Sequence, residues 1–197
     1  MKHNYENTTL PTVEGVGIND AEYSVVLNKC PYYRVWQSMI TRCYSPQSLK
    51  NFPNYMGCKV TQDWLMFTCF KAWMLKQDWE GKVLDKDLLC PGNTIYGPKT
   101  CLFISQTLNT LLNTQNNQGG KYPKGVTLYG KDGKYRAQMR KNKKLTHLGV
   151  FTTVEAAAES YRNAKADWVL EHINPNLCLS TKTALIAAAN VIRSTSP

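Results

Sequence analysis

The chain has 197 residues, room for one domain or two small ones, and carries 24 Lys and Arg against 14 Asp and Glu, a net charge of +10. No apolar run is long enough for a transmembrane helix, and the polar N-terminus does not read as a signal peptide. The positive balance favours a polyanion as partner, and the lack of a basic amphipathic helix argues against a membrane surface.

Seven cysteines, an odd number scattered in apolar surroundings, fit buried thiols in a reducing compartment. Cys58/Cys69 and Cys90/Cys101 share a separation of eleven, so an irregular zinc site stands beside the simpler reading of small core residues.

Residues 1–22 are polar and punctuated by glycine, and read as an arm. Tyr23–Leu27 reads as a short strand. Pro31 suits a first helical turn, and Tyr32, Trp36, Met39, Ile40 and Cys43 follow at helical spacing, with Arg34 and Arg42 off that face. Ser45–Gly57 reads as a loop with two prolines, and Cys58–Thr61 as a brief extended piece. A second helix is predicted over Gln62–Lys76, where Trp64, Phe67, Phe70, Trp73 and Met74 form an aromatic stripe best read as core.

Gly81–Leu89 and Thr100–Ile104 read as strands separated by a Pro- and Gly-containing loop, and Ser105 caps a helix bearing Leu108, Asn109, Leu111 and Leu112. Strand, loop, strand, helix is the order of a ββα-metal nuclease site. Such a site holds a metal with a carboxylate from the first strand and an Asn or His from the helix, and it activates water with a strand His. Asp85 and Asn109 occupy positions suited to the metal ligands.

Tyr33, Trp36, Met39, Arg42-Cys43-Tyr44, Tyr55, Gly57, Trp64, Phe67 and Phe70 carry a resemblance to phage-encoded HNH-like proteins. It continues through Leu84-Asp85-Lys86-Asp87, Gly92, Tyr96, Pro98, Cys101 and Asn109, and covers about residues 23–113. The resemblance implies a catalytic set of Asp85, Lys86, Asp87 and Asn109, with Mg²⁺ as cofactor on Asp85 and Asn109 if the site cuts. It also exposes a departure: the general-base His falls on Lys86. A lysine is protonated at neutral pH, so it acts as a base only if its pKa is strongly lowered, and it could instead hold a phosphate. Asp87 shares a strand with Asp85 and is the substitute base, though a weak one. A surface Asp-Lys-Asp without catalysis is the plain alternative. His3, His147 and His172 are the only histidines, and none is near Asp85 in sequence.

Residues 114–122, rich in Asn, Gln and Gly, read as a linker that would let two modules sit on one duplex. Eleven basic and five acidic side chains then lie between Gly119 and Glu171. Gly125–Tyr129 reads as a strand, Gly130–Gly133 as a tight turn, Tyr135–Arg140 as an alternating strand, Lys141–Lys144 as a charged turn and Leu145–Val150 as a third strand. Thr152 or Thr153 caps a helix from Val154, whose small apolar face is Ala157, Ala158, Tyr161, Ala164 and Trp168. The uncovered sheet face then carries Thr127, Tyr129, Arg136, Gln138, Arg140 and His147. A sheet of this width enters a DNA major groove, where Arg pairs with guanine and Gln with adenine; a solvated polar face is the bland reading.

Gly125-Val126, Gly133-Lys134-Tyr135, Arg140, Leu148-Gly149, Phe151, Glu155-Ala156-Ala157 and Tyr161 make this quarter of the chain resemble the DNA-binding domain of plant ethylene-response factors, which also occurs in phage and homing endonucleases. The resemblance puts base and phosphate contacts on Thr127, Tyr129, Arg136, Gln138, Arg140, Leu145 and His147, and Lys143 and Lys144 of the turn join the DNA-binding set. Thr127 and Tyr129 stand where the plant domains have arginines, and His147 where they have tryptophan, so the plant target does not carry over. After a turn at Asn174–Asn176, Ser180 or Thr181 caps a last helix with Ala184, Leu185, Ala188, Val191 and Ile192 on one side.

The expected fold class is α+β. An N-terminal helical region carries a degenerate ββα-metal (HNH-like) unit, and a three-stranded antiparallel sheet packed on one helix follows. The expected divisions are 1–22 arm, 23–113 HNH-like module, 114–122 linker, 123–172 ethylene-response-factor-like domain and 173–197 C-terminal helix. The expected function is binding of double-stranded DNA by a protein derived from an HNH homing-type endonuclease, located in the cytoplasm as a phage protein in its bacterial host. An active Mg²⁺-dependent endonuclease or nickase is the alternative, and a protein-binding inhibitor is a weaker one.

Overall fold

The computed structural model describes residues 12–113 and 121–195. The first half of the expected arm, with His3, and most of the expected linker lie outside the described residues. The chain forms two compact units, Met1–Ile104 and Ser105–Pro197. The fold is mixed α+β, with six helices and several small sheets among the described residues.

The first unit opens with β1 (Thr12–Val13) and β2 (Gly17–Ile18), an antiparallel pair where the sequence predicts an irregular arm. The predicted strand over Tyr23–Leu27 is a turn instead. Ser24 Oγ accepts the Leu27 amide at 3.3 Å and Ser24 O accepts the Asn28 side chain at 2.8 Å, so local hydrogen bonds outcompete extension. Helix α1 (Pro31–Tyr44) has its proline in the first turn and buries Trp36, Met39, Ile40 and Cys43, as the spacing predicts. The predicted loop after it holds α2 (Pro46–Asn51) and a 3₁₀ turn (Pro53–Tyr55), each started by a proline. β3 (Lys59–Val60) follows.

The predicted Gln62–Lys76 helix is two pieces, a 3₁₀ turn (Gln62–Leu65) and α3 (Phe67–Met74). Met66 between them is extended, at φ −85° and ψ 124°, and bridges Ile18. Asp20 caps α3 from outside, accepting the Thr68 amide at 2.9 Å. The aromatic stripe is core, as expected. Trp64 packs edge-on to Phe70 at 5.0 Å and against Trp73 at 4.5 Å, and Trp36 Nε1 donates to Trp64 O at 2.7 Å.

β4 (Lys82–Asp85), β5 (Ile95–Tyr96) and β6 (Leu102–Ser105) come next; β4 pairs with β6, and β5, within the predicted loop, pairs with β3. Ser105 Oγ accepts the Leu108 amide at 3.1 Å and starts α4 (Gln106–Asn113).

The second unit contains the antiparallel sheet β7 (Val126–Tyr129), β8 (Lys134–Lys141) and β9 (Lys144–Phe151), in that order, packed on α5 (Val154–Leu170). Thr153 Oγ1 accepts the Ala156 amide at 3.2 Å, the expected cap. Ala157, Ala158 and Ala166 are fully buried, and their small size lets the helix lie close to the sheet. The buried stripe also takes Lys165 and Val169, whereas Ala164 and Trp168 are only half-buried. Helix α6 (Leu179–Ser194) packs on α5. It starts two or three residues earlier than expected, with Cys178 in the capping position and Thr181 buried inside it. Leu185 and Ala189 form its buried side, and Val191, predicted to share it, is exposed.

Gly125 has φ +79°, and a Cβ there would stand 2.0 Å from the Tyr161 ring. Gly133 has φ +68° with nothing within 4 Å. Gly125→Ala is therefore expected to lose about 1–3 kcal/mol from crowding added to backbone strain, and Gly133→Ala about 1 kcal/mol from strain alone. Urea denaturation of the full chain compares them; equal losses would remove the Tyr161 contact from this account.

Candidate nucleic-acid interface

Register decides which side chains share the open sheet face. β7 and β8 pair Thr127 with Arg136 and Tyr129 with Lys134; β8 and β9 pair Arg136 with Val150, Gln138 with His147 and Arg140 with Leu145. Directly paired residues point to the same side. All six positions named for this face therefore share it, together with Leu145, and Lys134 and Val150 join them. The opposite side, with Val126 and Ala137, is sealed by α5. Alternation alone predicts this for β8. In β9 a bulge between the Ala137 and Gln138 pairs makes Leu148 the extra residue.

The arginines differ. Arg140 is exposed, whereas Arg136 is half-buried with its guanidinium 5.4 Å from the Tyr129 ring centroid. Arg136 Nε and the neighbouring Thr127 Oγ1 are covered from solvent and have no hydrogen-bond partner among the described residues. Such unsatisfied buried polar atoms are rare and call for a reason. Lys143 and Lys144 are exposed at the hairpin tip, but Lys144 pairs with Lys141 and so belongs by register to the helix side. Lys141 is engaged there with Glu171 at 2.5 Å. The turn itself is Asn142–Lys143, both at positive φ (50° and 64°), one residue tighter at each end than the predicted Lys141–Lys144.

The Asp85-Lys86-Asp87 segment in the first unit is not the surface feature of the plain sequence reading: Asp85 is 6% exposed and Lys86 7%. Asp85 Oδ1 accepts the amides of Asp87 at 3.0 Å and Leu88 at 2.8 Å, turning the chain out of β4. Burial holds the Asp85 carboxyl above its usual range, against those two amides, which lower it. Lys86 Nζ donates to Asp87 Oδ1 and to Asn93 O, both at 2.6 Å. Burial lowers the Lys86 pKa, but the hydrogen bond and charge of Asp87, with smaller contributions from Cys58 and Asp85, together outweigh it, and the net shift is upward. Lys86 is thus held as a cation, the opposite of what a general base needs, and two of its three donors are already used. Asn93 ties the loop further, donating to Lys86 O at 3.1 Å and Ile95 O at 2.6 Å.

Asn109 belongs to the second unit, and its Oδ1 accepts Asn113 Nδ2 at 2.6 Å. His147 and His172 also belong to the second unit, where His172 Nδ1 lies 2.8 Å from Trp168 O. Among the described residues no group of three or more His, Cys, Asp and Glu is placed to hold a metal ion. Within their own units, Asp85 Oδ1 and Asn109 Oδ1 each accept hydrogen bonds, and the ion-paired Lys86 follows Asp85 directly in the chain. Cys58 and Cys101 are buried while Cys69 and Cys90 are exposed, so the four do not converge on zinc; burial pushes the Cys101 thiol up to about 12.

No family model matches the chain, and no curated protein or solved structure is significantly similar to it. Among the described residues no helix is long and apolar enough to cross a membrane.

A lysine whose folded pKa exceeds its unfolded value stabilises the fold below the unfolded value, and that contribution disappears as pH rises through the folded one. Lys86→Met is therefore expected to cost about 1–2 kcal/mol at neutral pH, modest because the Asp87 carboxylate is half-exposed. The gap from wild type should close as pH climbs past about 10.4. Denaturant midpoints of both proteins against pH measure it; a gap that widens with pH would show that Lys86 is buried neutral.

Proposed function

We propose that this is a double-stranded DNA-binding protein that reads the major groove with the β7–β8–β9 face, on a frame related to HNH homing-type endonucleases. The observation that carries the reading is the in-register row Thr127, Arg136, Gln138, Arg140 and His147 on the side of the sheet away from α5. Arg136 and Arg140 are suited to guanine edges, Gln138 to adenine, and the apolar Leu145 and Val150 beside them to a thymine methyl. Lys143 at the hairpin tip supplies a phosphate contact. Such a protein of phage kind would act in the cytoplasm of a bacterial host.

Cutting is the second reading. It is favoured by Asp85 and by the order β4, β6, α4, and disfavoured by the cationic Lys86 and the committed Asn109. The Mg²⁺ site therefore rests on the resemblance alone.

Supercoiled and linear duplex incubated with the protein and Mg²⁺ or Mn²⁺ are expected to shift on a gel and stay intact. Cleavage that Asp85→Ala abolishes would replace the binding reading with the nuclease one. Arg136→Ala or Arg140→Ala is expected to cost about 1–3 kcal/mol of specific binding. Affinity should also fall steeply with salt. Unchanged affinity in both variants would remove the sheet from recognition, and a flat salt response would favour a protein partner.

A further inference from the structure

A cleft of about 600 Å³ opens on the first unit between α1, α2 and the following 3₁₀ turn. Its floor is the polar face of α1. Arg34, Ser38, Thr41 and Arg42 recur there at three- and four-residue spacing, opposite the buried face of Trp36, Met39, Ile40 and Cys43. Its rim carries Phe52 and Tyr55. The wall is therefore cationic and rich in donors on one side and aromatic on the other.

Neither Arg34 nor Arg42 is in an ion pair among the described residues, and no carboxylate lines the cleft, though Glu14 Oε1 accepts the hydroxyl of Thr41 at its floor at 3.5 Å. Arg34 is exposed, whereas Arg42 is half-buried and already hydrogen-bonded to the buried Tyr96 hydroxyl, which leaves its remaining N–H groups for a ligand. The Arg42 guanidinium lies 6.0 Å from the Tyr55 ring centroid at the cleft wall. Phe52, just after the end of α2, is 57% exposed although it is a large apolar ring, and it does not pack into the core of the first unit. An open aromatic ring in a cleft that two arginines also line matches the two halves of a nucleotide, whose base stacks and whose phosphate takes charge-assisted hydrogen bonds. The volume suits a ligand of that size.

We propose that this cleft binds one nucleotide unit, its phosphate on Arg34 and Arg42 and its base against Phe52. The nucleotide is part of an unpaired DNA strand or a free mononucleotide, since both present the same chemistry. The site lies wholly in the first unit and does not depend on the sheet as the duplex reader.

The test uses the full chain with labelled dT12, unlabelled dTMP and a duplex of the same length, followed by fluorescence anisotropy and calorimetry. The variants are Phe52→Ala and Arg34→Glu, both at exposed positions, with circular dichroism to verify folding. Each is expected to weaken dT12 binding at least about fivefold and to leave the duplex affinity within twofold. Arg136→Ala should do the reverse, so failure of the sheet reading and failure of this one are separate results. Parallel losses for dTMP would identify a free nucleotide as sufficient, and losses for dT12 alone would identify the strand. Absence of binding to both probes overturns the proposal, as does dT12 affinity unchanged in both variants. Loss in Arg34→Glu alone, with inorganic phosphate competing as well as dTMP, also overturns it, because the base then contributes nothing.

Discussion

Leu148 and Phe151 both pack into the small core of the second unit, and they are three residues apart on one strand. A regular strand points such residues to opposite faces, so this core exists only if the strand gains one residue between them. The bulge at Leu148 supplies it. Everything on the open face depends on that insertion. Without it, His147 would oppose Met139 on the helix side, and Leu145 would no longer stand beside Arg140. The alignment of Gln138 with His147 and of Arg136 with Val150 is thus a consequence of how two apolar side chains are buried. A core constraint on one side of the sheet sets the order of polar groups on the other.

The first unit solves a different problem. Its core is large and aromatic, with Trp36, Trp64, Phe67 and Phe70 essentially inaccessible, and it does not need polar staples for cohesion. Yet a lysine is buried at its edge. Lys86 is tolerated because Asp87 supplies a countercharge and Asn93 a carbonyl, while Asn93 also fastens the loop to β5. The same contacts that make the burial affordable keep the amine protonated. A structural lysine and a general base are mutually exclusive here, since any shift toward a neutral amine would weaken the ion pair that holds the loop.

Local patterns in the sequence were enough wherever one element's own periodicity decided the outcome. The apolar spacing of α1, the alternation in β8, the glycine-flanked turn before it and the Thr153 cap all follow from residues within a few positions of one another. What was not legible depends on partners distant in sequence. The break at Met66 requires Ile18, and the first turn of α3 is completed by Asp20. β5 has only two residues and exists because β3 lies beside it. At the candidate site, the residues of the open face were legible but the bulge was not. Leu148 and Phe151 at odd spacing were the available signal. The burial of Lys86 was also missed, since an Asp-Lys-Asp run reads as surface unless the loop that folds over it is known.

Charge is divided unevenly, and this bears on how the two proposed sites would act. The stretch Gly119–Glu171 has eleven basic and five acidic side chains, whereas residues 1–118 have eleven and nine. Long-range attraction to a polyanion therefore comes mainly from the sheet region, where Lys141 is the one basic side chain of β8 tied up by a carboxylate among the described residues. The cleft on α1 has little surplus charge around it, and its two guanidinium groups act only at hydrogen-bonding range. On the proposed reading the sheet would dominate encounter and salt dependence. The cleft would add selectivity for whatever base it can stack without altering the encounter rate much. An aromatic stack is less sensitive to salt than a phosphate contact, so the two contributions separate by ionic strength.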